Sequence, residues 1–129
     1  EKQRRCGLVA ILAEDRTRES VLAALRARRT YATNGPRMGL DVRLGAEPMG
    51  ATVAPAADRE LRVSVVAPRL LRRVDLVRSG AVVESIDASG RREIEITRSL
   101  RDLAPGEYLY VRVVQIDDGT AWSSPFFVQ

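Results

Sequence analysis

The sequence contains few of the residue types that carry out catalysis. It has no histidine, the side chain that most often acts as a general base near neutral pH and most often binds metal ions. Its one cysteine, Cys6, has no second cysteine to pair with and no histidine to activate it, so we interpret it as a small buried apolar residue. Ser-His-Asp triads, Cys-His dyads and zinc sites of cysteine and histidine are therefore excluded. We expect no catalytic residue, cofactor-binding residue or metal ligand in this chain, which would then not be an enzyme by itself.

Two acidic pairs remain as candidates for carboxylate chemistry. Glu14 and Asp15 follow an apolar run, and adjacent carboxylates there could hold a cation or act as acid and base. A solvated turn between a strand and a helix explains them equally well. Asp117 and Asp118 precede Gly119, but the alternating acidic positions of a calcium-binding loop are missing, and Asp-Gly is typical of a hairpin turn. We interpret both pairs as turns.

A basic segment with one aromatic residue is the candidate nucleic-acid contact. Residues 1–37 contain nine basic and four acidic side chains, whereas residues 38–129 contain twelve and thirteen. Four arginines could bind phosphates and Tyr31 could stack on a base; the arginines are Arg26, Arg28, Arg29 and Arg37. No RNA-binding or zinc-finger signature accompanies them, and arginines near the end of a helix also interact with its dipole. We therefore do not expect a nucleic-acid partner.

Aromatic residues near the end of the chain are a second candidate contact. Trp122, with Phe126 and Phe127, could form a platform of the kind found in carbohydrate-binding sandwiches. Packing in the core or between domains is the alternative. Over the whole chain, the candidate interface or ligand contacts are Arg28, Arg29, Tyr31, Arg37 and Trp122.

The first 36 residues predict a strand and a helix. Gly7–Ala13 is a continuous apolar run, typical of a strand buried on both faces in a parallel sheet. Thr17–Arg29 has helical signals, with Val21, Leu22 and Leu25 on one stripe that must dock on another surface. Because a buried strand followed by a helix is half of a βαβ unit, we expect residues 1–36 to belong to an α/β sheet that is mostly missing from this sequence. A helix needs about 18 consecutive apolar residues to span a bilayer. No apolar run in this sequence is that long, so no membrane span is expected.

A different period begins after the breaker Asn34-Gly35-Pro36. Apolar and polar residues alternate in segments separated by turn signals, as in strands with one buried face. Seven such strands over residues 37–129 predict a mainly β fold, an immunoglobulin- or fibronectin-like antiparallel sandwich preceded by the short strand–helix segment. Its predicted core comprises Leu40, Val42, Leu61, Val63, Val65, Val74, Leu76, Ile94 and Ile96.

Two blocks of this sequence resemble a known family. The first comprises Gly7-Leu-Val-Ala-Ile-Leu-Ala-Glu14 and the segment from Thr17 through Arg28-Arg-Thr-Tyr-Ala-Thr-Asn-Gly-Pro36; the second runs from Tyr110 to Pro125. They resemble the C-terminal region of metallohydrolases of the PHP (polymerase and histidinol phosphatase) superfamily, in a largely uncharacterised bacterial branch. In that branch the last strand and helix of the catalytic barrel lead into a β-rich tail. The resemblance therefore implies that residues 1–36 are the strand–helix remnant of an upstream α/β barrel and that residues 37–129 are the tail.

The resemblance implies a parent protein that hydrolyses phosphate or related esters with divalent metal ions. The histidine and aspartate ligands lie upstream in the family, and none matches a position here. The chain would be a non-catalytic C-terminal accessory domain that packs on its own upstream catalytic domain or mediates assembly. The isolated fragment could also form a homodimer. The alternative is a binding module for a glycan, cell-envelope or protein ligand, and the residues assign no cellular compartment.

Overall fold

The chain folds as a mainly β sandwich with one short helix. The computed structural model describes residues 6–129, in which strands account for 56% and helix for 7%, and this confirms the predicted fold class. In chain order the described elements are β1 (Leu8–Ile11), α1 (Arg18–Arg26), β2 (Thr30–Thr33), β3 (Gly39–Leu44), β4 (Glu47–Pro48), β5 (Thr52–Val53), β6 (Ala56–Val66), β7 (Leu71–Arg78), β8 (Ala81–Asp87), β9 (Glu93–Leu103), β10 (Tyr108–Gln115), β11 (Thr120–Ser123) and β12 (Phe126–Val128).

Two sheets form the sandwich. In the eight-stranded sheet, β10 pairs with β7 on one side, and β7 pairs with β8 at that edge. On its other side β10 pairs with both β11 and β12. The sheet then continues from β11 to β2 and β1, and from β12 to β5, which is a parallel neighbour. The second sheet has four strands in the order β4-β3-β6-β9.

The core lies between the two sheets and follows the period of two in the sequence. On β3, for example, Leu40, Val42 and Leu44 are buried while Asp41 and Arg43 are exposed. All nine predicted core residues are buried, with at most 8% of their surface exposed, so the predicted core is confirmed. Each strand buries one face because successive side chains point to opposite sides of a sheet.

An arginine–glutamate pair ties the two sheets together at one end of the sandwich. Arg78, at the end of β7, donates to both carboxylate oxygens of Glu107. It also donates to the backbone oxygens of Arg101 and Asp102 on β9, both at 2.8 Å. The Arg78 guanidinium, followed by the backbone N–H of Ala104, lowers the pKa of Glu107 to about 2. Because β7 and β9 belong to different sheets, this cluster holds the sheets at a fixed spacing.

Replacing Glu107 by glutamine is expected to destabilise the protein at pH 7 but not near pH 2. The folded-state pKa of Glu107 lies below its ordinary value of 4.5. Its carboxylate therefore contributes stability that is fully present above about pH 4.5 and is lost as the pH falls through about 2. Urea unfolding of both proteins at several pH values measures this difference. Glu95→Gln, which changes an exposed carboxylate on β9, is the control, and a pH-independent effect of Glu107→Gln would contradict the ion pair as its source.

β1 is present, but its surroundings differ from the sequence prediction. It pairs antiparallel with β2 and lies at the edge of the described sheet. Val9 is 66% exposed and Ile11 is 40% exposed. The prediction of a strand buried on both faces is therefore wrong for this chain. Burial of both faces requires covering layers and neighbouring strands, and the described residues supply one neighbour only.

The helix begins where the sequence predicted, but its apolar stripe is not buried. Thr17 caps α1 by accepting a hydrogen bond from the backbone N–H of Ser20. Ala24 is the buried residue of α1, whereas Leu22 is 38% exposed and Leu25 is 46% exposed. The predicted stripe therefore does not dock on the sandwich. With nine residues, α1 is short, and no described helix is long and apolar enough to cross a bilayer.

β2 connects the two parts into which the sequence was divided. It lies within residues 1–36 and pairs with β11, which lies within residues 37–129, through the aligned residues Thr33 and Ala121. The strand–helix segment and the sandwich therefore share one sheet. The division at residue 36, and the origin of residues 1–36 as a barrel remnant, stay predictions.

Candidate functional site

Exposed apolar side chains are grouped on β1 and α1, at one edge of the described sheet. Among the described residues, this apolar edge surface consists of Leu8, Val9, Ile11, Leu12, Leu22 and Leu25, which are 36% to 66% exposed. Grouped exposed apolar residues of this kind usually mark an interaction site, whereas single ones need no explanation. Its side chains are aliphatic, so the surface can pack against another apolar surface but offers no group for acid–base or nucleophilic chemistry.

A cleft of about 490 Å³ opens beside this surface, between the first strands and the segment that leads into β3. Leu8 shares the inner face of the sheet with the core residue Ala121, because both align with Thr33. Leu8 is nevertheless 39% exposed, since the four-stranded sheet does not cover it. The inner face of β1 therefore lacks an opposing layer. The cleft is lined by Leu8, Val9, Ala10, Tyr31, Thr33, Pro36, Arg37, Met38 and Gly39.

Two of the predicted contact residues border this cleft. Tyr31 is half-buried, and its hydroxyl donates to the backbone oxygen of Met38 at 2.7 Å. Its ring packs against the core, so its first role is to hold β2 against the start of β3. Arg37 is exposed at the rim of the cleft, where it could pair with an anionic group of a partner.

Arg28 and Arg29 terminate the helix. The backbone N–H of Arg29 donates to the carbonyl oxygen of Ala24 at 2.9 Å, and that of Arg28 donates to Leu25 at 3.1 Å. These two bonds form a Schellman motif, in which the residue after the cap is usually glycine. Arg28 takes that position with φ of 57°. The Nε atom of Arg29 is buried and has no hydrogen-bond partner among the described residues.

The side chain of Arg28 is used within the protein. Its Nε donates to the backbone oxygen of Gly50 at 2.9 Å, and its guanidinium lies 5.1 Å from the centre of the Phe127 ring. A Cβ atom at Gly50 would lie 2.1 Å from the Arg28 carbonyl oxygen, so only glycine permits this approach. Arg28 therefore joins the end of α1 to the loop before β5, and is not a free cation for phosphate.

Trp122 belongs to a group of aromatic residues on the outer face of the eight-stranded sheet. It aligns with Arg112 on β10, and Phe127 aligns with Tyr108. Because side chains alternate, Tyr108, Tyr110 and Arg112 lie on one face of β10, opposite the core residues between them. Tyr108 and Phe127 are each 36% exposed, and Tyr110 and Trp122 are half-buried. We call Tyr108, Tyr110, Trp122 and Phe127 the aromatic face.

The sequence prediction identified this face only in part. Phe126, which was grouped with Trp122, is fully buried in the core and cannot belong to a platform. Tyr108 and Tyr110 were not considered as contacts. Their spacing of two on β10, with a buried leucine between them, was the signal that could have placed them on one exposed face.

A buried ion cluster lies beside the aromatic face, on the same side of the eight-stranded sheet, because Asp75 aligns with Arg112. Asp75 on β7 is 1% exposed and accepts from Arg73 at 3.0 Å, from Arg112 at 2.8 Å and from the Ser85 hydroxyl at 2.6 Å. Burial alone would raise the pKa of Asp75, but the bonds from Ser85, Arg112 and Arg73 outweigh burial and lower it. The cluster fixes the Arg112 side chain opposite Trp122.

The acidic pairs form turns, as the sequence predicted. Asp15 accepts from the Thr17 hydroxyl at 2.6 Å and from the Thr17 backbone N–H at 2.9 Å, and these bonds lower its pKa. Asp117 accepts from the backbone N–H of Gly119 at 2.9 Å, and Asp118 pairs with Arg72 at 2.9 Å.

The described residues do not fit a metal centre. Within residues 6–129, no three side chains of histidine, cysteine, aspartate or glutamate are grouped to hold a metal ion. Cys6 is a free thiol and is exposed, so its interpretation as a buried residue is wrong. It lies just before β1, whose side chains are mostly exposed.

The fold and these surfaces define a β-sandwich with an uncovered apolar edge. Residues 1–67 match the family described as "Protein of unknown function (DUF3604)", and the chain belongs to that family. An uncharacterized protein of Chlamydia pneumoniae is 34% identical over 95% of this chain, and one of Chlamydia trachomatis is 27% identical over the same share. The chain spans 22% of the length of these bacterial relatives.

One solved structure shows a distant likeness to this chain. It is the neutron crystallographic structure of a Jonesia denitrificans lytic polysaccharide monooxygenase, with a TM-score of 0.46 and 17% identity. The match covers 65% of this chain and 60% of that protein. This likeness is too low to carry an argument about the function of the chain.

Proposed function

We propose that this chain is the non-catalytic C-terminal accessory domain of a metal-dependent, phosphoesterase-like hydrolase of the PHP superfamily. The observation that carries the proposal is the uncovered apolar edge surface on β1 and α1. An accessory domain needs such a surface to pack on a catalytic domain. It lies within the first block of sequence that resembles the end of the PHP catalytic barrel.

The lengths of the relatives support this proposal. The chain corresponds to 22% of each of the Chlamydia relatives, so most of such a protein lies outside these residues. A catalytic domain in that remaining part would supply the histidine and aspartate ligands that this chain lacks. Divalent metal ions bound there would activate water and stabilise negative charge during hydrolysis. The residues of this chain would cover the barrel, shape the rim of its active site or mediate assembly.

The test uses the longer protein that contains this chain. We expect it to hydrolyse a generic phosphoester with Mn²⁺ or Zn²⁺ and to lose activity when a chelator is added. Leu25→Asp should lower its thermal midpoint and activity, because it places a charge on the docking surface. Val82→Asp is the matched control, since Val82 is 49% exposed and Leu25 is 46% exposed, but Val82 lies on β8 at another edge.

Two results would count against the proposal. If the longer protein hydrolyses no phosphoester with any of these metals, the catalytic part of the proposal is wrong. If Leu25→Asp and Val82→Asp change the longer protein equally, the apolar edge surface is not where the domains meet. Both variants should leave the isolated 129-residue chain folded, because both side chains are already exposed there.

The aromatic face favours a second candidate function, a glycan-binding module. Its four rings combine apolar faces with the polar groups of Tyr108, Tyr110 and Trp122, an arrangement that suits ligands with both apolar and polar sides. The cation beside Trp122, Arg112, is already paired with Asp75. This argues for a neutral ligand rather than a nucleic acid.

Soluble oligosaccharides should then quench the fluorescence of Trp122 saturably. Oligosaccharide binding that survives in Trp122→Ala, measured by isothermal titration calorimetry because the variant has no tryptophan, would contradict a role for this face.

A further inference from the structure

The backbone of β1 has hydrogen-bonding groups that its one described neighbour does not use. The Leu12 N–H donates to the Arg29 oxygen at 2.9 Å, which makes Leu12 and Arg29 a hydrogen-bonded pair of the β1–β2 ladder. In an antiparallel ladder such pairs alternate with pairs that exchange no bonds. Leu8 and Ala10 are therefore bonded to β2, and the N–H and C=O groups of Val9 and Ile11 point away from it.

The bonds on the other side of β2 agree with this alternation. The Asn34 N–H donates to Thr120 at 3.1 Å, and the Ser124 N–H donates to Thr30 at 3.2 Å. The backbone N–H and C=O groups of the even-numbered residues of β2 thus point toward β11. Those of the odd-numbered residues point toward β1. Val9 and Ile11 consequently present donors and acceptors at the sheet edge with which no other described strand pairs, on a strand whose side chains are apolar and mostly exposed.

We infer that β1 is completed by a strand from the part of the same polypeptide that lies outside these 129 residues. The inference rests on the proposed function, since it names how the accessory domain joins the rest of the protein. The incoming strand bonds to the backbone of Val9 and Ile11 and extends the eight-stranded sheet by β-strand addition. Its inward side chains cover Leu8 and enter the cleft beside it.

The short length of β1 favours a strand of the same polypeptide over a second copy of the chain. β1 has four residues, and only two of them face outward, so strand addition here forms few bonds. Such a small contact is weak between separate molecules. A strand in the same polypeptide has a high effective concentration, which makes the same few bonds sufficient. The relatives, of which this chain spans 22%, provide ample chain outside this segment.

Hydrogen exchange at the Val9 and Ile11 amides tests this inference in the longer protein and in the 129-residue chain. We expect these amides to exchange roughly 10- to 100-fold more slowly in the longer protein, as amides do when they gain stable hydrogen bonds. Val9→Pro removes one outward N–H, and a proline is tolerated on an edge strand where that N–H faces solvent. In the longer protein this variant should abolish the added protection of Ile11. Val9→Thr, which keeps the amide and the β-branched shape, should retain it.

The remaining outcomes separate this inference from the proposed function. Equally fast exchange in both proteins would overturn the inference. Protection that appears in the 129-residue chain and grows with concentration would also overturn it, because a second copy would then be the partner. Protection in a longer protein without metal-dependent hydrolysis would remove the hydrolase proposal alone. Hydrolysis without protection would remove the strand addition alone.

Discussion

Replacing Phe126 by alanine is expected to lower the free energy of unfolding by about 3–5 kcal/mol, the usual range for removing a phenyl ring from a core. Phe126 on β12 is fully buried and lies between the two sheets, where it aligns with the core residue Leu109 of β10. The surrounding strands are held by ladder hydrogen bonds and cannot close fully around the empty space. Equilibrium urea unfolding of the isolated chain measures the change.

Phe127→Ala is the matched control, because the same change occurs one residue further along the same strand. Phe127 is 36% exposed on the outer face and contacts the Arg28 guanidinium. Its loss should therefore cost about 1 kcal/mol, the scale of an exposed cation–π contact with some buried area. Similar losses for the two variants would contradict the assignment of Phe126 to the core and Phe127 to the aromatic face.

Replacing Asp75 by alanine is expected to cost about 3 kcal/mol, near the lower end for breaking a buried ion pair. The change leaves Arg73 and Arg112 without their shared carboxylate and the Ser85 hydroxyl without its acceptor. The lower end applies because the two arginines are 39% and 29% exposed and can still reach water. The free energy of unfolding at pH 7 checks this value.

Asp41→Ala is the control for the Asp75 variant, since Asp41 pairs with Arg43 on the outer face of β3 and both side chains are about half exposed. It should change stability by less than about 1 kcal/mol, as exposed pairs do. The pKa of Asp75 is lowered from 3.8. Its contribution is therefore present above about pH 3.8 and is lost as the pH falls through the lower folded value. Equal costs for the two variants would contradict a special role of the buried cluster.

The class of fold and its core could be predicted from local patterns in the sequence. Alternation on segments such as Leu40–Leu44 and Leu61–Val65 predicted strands with one buried face, and the structure buries the residues concerned. The Thr17 cap likewise predicted the start of α1. These features could be predicted because period and capping depend on residues a few positions apart. The absence of histidine is a property of composition and needed no structure.

Which surfaces are exposed and which distant residues meet could not be predicted, because both depend on how the strands pair. The apolar run at Gly7–Ala13 suits a buried strand or an edge strand, and its pairing with β2 left it at an edge. The Asp75 cluster joins residues 10 and 37 positions apart, through strand neighbours that no local pattern specifies. The aromatic face depends on the register between β10, β11 and β12. Burial and register are set by contacts between elements far apart in the chain, whereas the sequence pattern constrains each element separately.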